Sequence, residues 1–193
     1  MASDLASIII FFRRSIGLIF TPYATMRKIS IEGTRTELVW ILFLSFVYFL
    51  ITNTVRDWTN GFMGAVGLYI WSVVFFSVLP SSGSVIEKIG RMIKTWSYTL
   101  IPTLLWFYAT FLFYFLIPPP RTISLLGKSF SVVYIAFSVS LLTWKLILVY
   151  LSIRFSLRAH LYRVIYYILI YLAVSIPLWF FLYNRGISRI PFV

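Results

Sequence analysis

Apolar positions in this chain come in blocks separated by short polar punctuation. Five blocks are long enough to cross a bilayer as helices, which takes about 20 residues each. They are 38–54, 62–79, 97–117, 130–153 and 164–183. Ahead of them, residues 3–20 predict a helix with Ser3 or Asp4 as N-cap. Its apolar run at 8–12 is too short to span and is interrupted by Arg13 and Arg14. That pattern predicts a helix lying in the headgroup plane. Thr21-Pro22 restarts the chain, a capping hydroxyl followed by proline at the first helical position. A short helix over 23–30 carries Arg27 and Lys28, and Gly33 ends it.

The punctuation between blocks is specific. Thr34-Arg35-Thr36-Glu37 reads as a capping box before the first block. Asn53, Arg56, Asp57 and Asn60 mark a polar turn between the first and second. Gly61, Gly64 and Gly67 share one helix face and predict a surface for close helix packing. Pro80-Ser81-Ser82-Gly83 closes the second block, and Ser84-Val85-Ile86-Glu87 forms a second capping box. The helix it opens sets Ile86, Ile89 and Ile93 against Lys88, Arg91 and Lys94, an interfacial pattern. Trp96 stands where an aromatic belt residue belongs, just before the third block. Pro102 lies early in that block, and Pro118 to Pro120 stop it. A loop over 121–128 precedes the fourth block. Arg154, Arg158, His160 and Arg163 make a basic connection to the fifth, which contains Pro177.

Composition strengthens this reading. The chain has 193 residues, 61% hydrophobic and only 11% charged, against roughly 25% charged in a soluble domain. The expected architecture is all-α: interfacial helices over 1–33, then a five-span membrane domain over 34–193. The net charge of +12 sits at block ends, which points to anionic lipid headgroups and away from nucleic acid. The candidate headgroup residues are Arg13, Arg14, Arg27, Lys28, Lys88, Arg91, Lys94, Arg154, Arg158 and Arg163. With Arg35 they lie on one side of the alternating spans. Arg56, Arg121, Lys128, Arg185 and Arg189 make a smaller set on the other. The positive-inside rule then places the N-terminus inside and the C-terminus outside. The N-terminus has no basic region ahead of an apolar run and does not read as a signal peptide. Cysteine and glutamine are absent and asparagine occurs at three positions, a depletion that suggests a thermophilic source.

Candidate chemistry is sparse. There is one histidine, His160, and five acids, all near block ends, so no catalytic constellation, cofactor motif or metal-ligand cluster is expected. Lys145 is the exception to an apolar interior. It lies nine residues before Arg154, ~13 Å along a helix, where a lysine costs about 3 kcal/mol. Pro102 frees the carbonyl of Tyr98 at a similar depth. The expectation is a polar contact from Lys145 to the turn at Tyr98 and Pro102.

Three stretches carry a resemblance. Thr21-Pro22-Tyr23-Ala24-Thr25-Met26-Arg27-Lys28-Ile29, Tyr98-Thr99-Leu100-Ile101-Pro102, and Leu142-Thr143-Trp144-Lys145-Leu146-Ile147-Leu148 with the basic link 156–160 resemble segments of the Yip family of Rab-GTPase-interacting, five-span membrane proteins. The likeness covers roughly residues 17–180 and is closer to prokaryotic members. The long cytosolic N-terminal extension of the eukaryotic members has no counterpart. The resemblance implies a membrane protein of prokaryotic type and, with no catalytic constellation in the sequence, the expectation is a non-enzymatic protein of a prokaryotic cell membrane. It would serve as an organiser or scaffold, or as an accessory subunit meeting other membrane proteins or copies of itself. The alternative is a small transporter or channel subunit using Lys145 and the Pro102 break.

Overall fold

The computed structural model describes residues 2–55, 59–116 and 125–184. Every regular element among them is an α-helix. In chain order these are α1 (Ala2–Phe20), α2 (Pro22–Glu32), α3 (Arg35–Val55), α4 (Thr59–Val78), α5 (Val85–Tyr98), α6 (Leu100–Leu116), α7 (Leu125–Leu157) and α8 (Leu161–Asn184). Two are long and apolar enough to cross a membrane, α7 over Gly127–Leu157 and α8 over Leu161–Leu178. The apolar stretches of α3 and α4, Thr36–Tyr48 and Val66–Val78, are shorter. The polar turn at Arg56 and Asp57, the prolines 118–120, Arg121, Arg185 and Arg189 lie outside the described residues.

Local sequence explains the boundaries. Pro22 stands at the start of α2, where its missing N–H has no intrahelical partner to lose. Thr21 does not cap α2, contrary to expectation. Its hydroxyl and its N–H both turn back to the Gly17 carbonyl at the end of α1, at 3.2 and 2.8 Å. Ser84 does cap α5, accepting from the Glu87 N–H at 3.3 Å. The predicted third span divides in two. Ser97 and Tyr98 finish α5, Thr99 interrupts, and α6 begins at Leu100. Pro102 is then in the first turn of α6, where proline is tolerated. The fourth block extends at both ends. Part of the expected loop 121–128 is already helical from Leu125, and α7 runs to Leu157, ~50 Å at 1.5 Å per residue.

The α5 helix is the hub of the bundle. It packs on α7, α4, α2, α3 and α6. One buried cluster joins Phe11 and Leu18 of α1, Met26 and Ile29 of α2, and Ile41 of α3 to Tyr98, Ile101, Leu104, Leu148 and Leu151. A second joins Val73 and Phe76 of α4 to Met92, Trp96, Ile153, Leu157, Val164 and Tyr167. Both lie where α5 meets the C-terminal half of α7, the first with α1, α2, α3 and α6 and the second with α4 and α8. Along α3, α6, α7 and α8 large apolar side chains face outward, among them Phe43, Leu112, Val133 and Leu169.

Two faces differ from the sequence pattern. On α1 the polar side chain of Arg14 turns toward the bundle, while Ile9, Phe12, Ile16 and Ile19 are exposed. On α5, Ile86 is exposed but Ile89 and Ile93 pack against the second cluster. Lys88 and Arg91, assigned to the water side, point into the protein. In both helices a charged group found a protein acceptor, and that decided which face turned inward.

Candidate functional site

Glu37 is a buried meeting point of polar contacts from three helices. It is the acid of the capping box at the head of α3, and it is 1% exposed. Its Oε1 accepts from the Thr34 N–H at 3.1 Å and the Thr34 hydroxyl at 2.7 Å. One guanidinium nitrogen of Arg14 donates to both carboxylate oxygens at 2.6 Å. The Tyr98 hydroxyl donates to Oε2. A second guanidinium nitrogen of Arg14 lies 3.5 Å from Glu32. Burial by itself would raise the Glu37 pKa. The hydrogen bonds from Tyr98, Thr34 and Arg14 outweigh it and hold the carboxyl below its ordinary value. The cluster ties α1, α3 and the end of α5 to one charge. The capping box was legible in the sequence, but its link to Arg14 and Tyr98 was not. The available signal was scarcity: with five acids against seventeen bases, each acid is a prime candidate for ion pairing.

The α5–α6 junction lies beside this cluster. Thr99 closes α5 by donating its hydroxyl and its N–H to the Trp96 carbonyl, at 2.7 and 3.0 Å. On α7 the facing positions recur every seven residues, close to two turns. Ser152 bonds Thr95 of α5 at 2.8 Å, and Ser138 accepts from the Trp106 indole of α6 at 3.0 Å. Lys145 is midway between those two serines. It therefore stands level with the junction, and it is half-buried. No hydrogen bond or ion pair joins it to any described residue. The expected contact with the turn at Tyr98 and Pro102 is not among its bonds, and the Tyr98 hydroxyl is given to Glu37.

The ten candidate headgroup bases separate into two kinds. Four spend their charge inside the protein, contrary to the expectation that they meet lipid. Arg14 binds Glu37. Lys88 donates to the Leu79 carbonyl at the end of α4 at 2.9 Å, a favourable place for a cation. Arg91 binds Glu87 and the Ser156 carbonyl. Arg154 stacks on Tyr23 and donates to the Tyr150 hydroxyl. Arg13, Arg27, Lys28, Arg158 and Arg163 are exposed, and Lys94 is half-buried. All of them stand on α1, on α2, on α5 or at the α7–α8 turn.

Among the glycines expected to pack helices, Gly67 faces open space. The surroundings of Gly61 and Gly64 lie outside the described side chains. His160 is exposed at the α7–α8 turn. No group of three metal-ligating side chains occurs among the described residues.

Side-chain bonds between helices are mostly uncharged. They include Tyr69 to Ser97 at 2.7 Å, Ser72 to Tyr171 at 2.7 Å, Trp71 to Ser175 at 3.0 Å and Thr110 to Tyr134 at 2.6 Å. Hydroxyl and indole links of this kind join helices in a lipid setting, where apolar burial does not separate helix from solvent. No family model matches the chain, and neither a curated protein nor a solved structure matches it.

Proposed function

We propose that the chain is a non-enzymatic, five-span, Yip-like protein of a prokaryotic cell membrane, with the N-terminus inside and the C-terminus outside. It organises its membrane, or serves a larger membrane complex as a subunit, by holding anionic headgroups on a basic end. One observation carries the reading. Exposed apolar side chains cover the outer faces of the helices, while the exposed bases Arg13, Arg27, Lys28, Arg158 and Arg163 gather at the α1–α2 and α7–α8 end. Over the full sequence, eleven bases fall on that side of the alternating spans and five, Arg56, Arg121, Lys128, Arg185 and Arg189, on the other. That asymmetry is what the positive-inside rule requires of a cytoplasmic face.

The absence of cysteine makes the test direct. Single cysteines placed at 57, 82, 120 and 160 are labelled in sealed vesicles with an impermeant maleimide. The expected result is that 57 and 120 label from one side, and 82 and 160 from the other. Labelling of 57 and 82 from the same side overturns the five-span reading. Replacing Arg13, Arg27 and Lys28 together by glutamine should weaken binding of the solubilised protein to anionic vesicles and leave binding to neutral vesicles unchanged.

A further inference from the structure

We infer that Lys145 is the anchor of a phosphate site at the α5–α6 junction, filled by the phosphate of a membrane lipid; the inference rests on the membrane reading above. The argument begins with charge. An ammonium in an apolar helix needs a counter-charge or a set of acceptors, and the described residues supply neither to Lys145. Its orientation is fixed on both sides. Seven residues before it, Ser138 is held by Trp106 of α6. Seven residues after it, Ser152 is held by Thr95 of α5. Rotation of α7 to turn the lysine elsewhere would break both.

The neighbouring acceptors are already engaged. Glu37 is saturated by Arg14, Tyr98 and Thr34, and the Trp96 carbonyl holds both donors of Thr99. The adjacent residue, Trp144, donates to the Leu18 carbonyl of α1 at 3.1 Å. That bond sets the end of α1, the helix read as lying in the headgroup plane, beside the lysine, so the ammonium stands at headgroup level and not in the hydrocarbon interior. On the face of α7 that carries the lysine, Leu142 is exposed and Leu148 is buried, so the site lies at the edge where the packed core meets the apolar outer surface. A ligand entering there must be apolar along its length and anionic at its head. A phospholipid meets both demands, with its phosphate at Lys145 and an acyl chain along the outward face of α7 at Leu142, Val139 and Ile135.

The test uses the full chain, purified in a mild detergent. Phosphatidylglycerol, a neutral glycolipid with the same acyl chains, and inorganic phosphate are each added, and bound ligand is counted by native mass spectrometry. Wild type should retain one phosphatidylglycerol per chain and no glycolipid. Lys145→Gln should weaken that retention at least about tenfold, Lys145→Arg should keep it, and Lys128→Gln, at the opposite end of α7, should leave it unchanged. Binding of inorganic phosphate by wild type and not by Lys145→Gln would support the site with a free anion as its source. Equal retention of phosphatidylglycerol and glycolipid by wild type overturns the proposal without recourse to any variant. So does equal retention of phosphatidylglycerol by wild type and Lys145→Gln. A chain recovered from cells without detergent refutes the membrane reading itself, which is a separate outcome.

Discussion

Glu37→Gln is the substitution with the largest expected effect on the folded state. The amide keeps the size of the carboxylate and one acceptor oxygen, so Thr34 can still be served. It removes the charge facing Arg14 and offers an NH₂ where either Arg14 or Tyr98 now donates. Two donors would then meet without an acceptor, in a place 1% exposed. Breaking one side of a buried ion pair costs about 3–5 kcal/mol. Glu32 lies 3.5 Å from the second guanidinium nitrogen and is 63% exposed, so it takes up part of the orphaned charge. The expected loss is therefore at the lower end, about 3 kcal/mol. Equilibrium unfolding in mixed micelles measures it. A cycle with Arg14→Gln should show the double variant costing clearly less than the two singles together, by at least about 1 kcal/mol. The acid limb gives an independent check. The folded carboxyl titrates below its unfolded value. Its contribution is complete above about pH 4.3 and is lost as the pH falls through the lowered folded pKa. Wild type should lose stability in that window and Glu37→Gln should not. Additive costs in the cycle, with the same acid limb in both proteins, would refute the account of this cluster.

Two further substitutions probe other parts of the fold. Arg158 has φ 50° at the end of α7, a left-handed conformation that costs an L-residue about 1 kcal/mol. Arg158→Gly should raise the thermal midpoint in detergent, since the charge it removes is 4.0 Å from Glu87 and largely exposed. Thr95→Val removes a fully buried hydroxyl that contacts Ser152 and Ser156 at 2.8 and 2.6 Å. It should cost about 1–2 kcal/mol by chemical denaturation, and Ser152→Ala added on top should cost little more.

How much of this was legible in the sequence depended on the range of the interaction. Helices follow from local patterns, and α3, α4 and α8 begin and end within a few residues of the apolar blocks that foretold them. The break at Thr99 was signalled by Pro102, although the helix stops three residues earlier so that the proline falls in a first turn. What could not be read was which bases would be used internally. Arg13 and Arg14 are neighbours of identical chemistry, yet one is exposed and the other holds Glu37. A helix turns by 100° per residue, and which residue faces inward is decided by partners 23 and more positions away. Lys88 and Arg91 turned inward for a different reason. Beyond the Glu87 carboxylate on Arg91, their acceptors are the backbone carbonyls of Leu79 and Ser156, and every residue carries one, so composition holds no trace of them. Lys145 stood out because nothing of its own kind surrounds it, and in the structure it is still without a partner among the described residues.

The Glu37 cluster also sets an order of events during synthesis. Arg14 leaves the ribosome 23 residues ahead of Glu37, and Tyr98 follows Glu37 by 61. At about 5–20 residues per second, the carboxylate and the guanidinium wait roughly 3–12 s for the hydroxyl that completes their shell. The N-terminal helices thus emerge first and are locked last. A chain stopped short of Tyr98 would leave Glu37 with only Arg14 and Thr34 as donors.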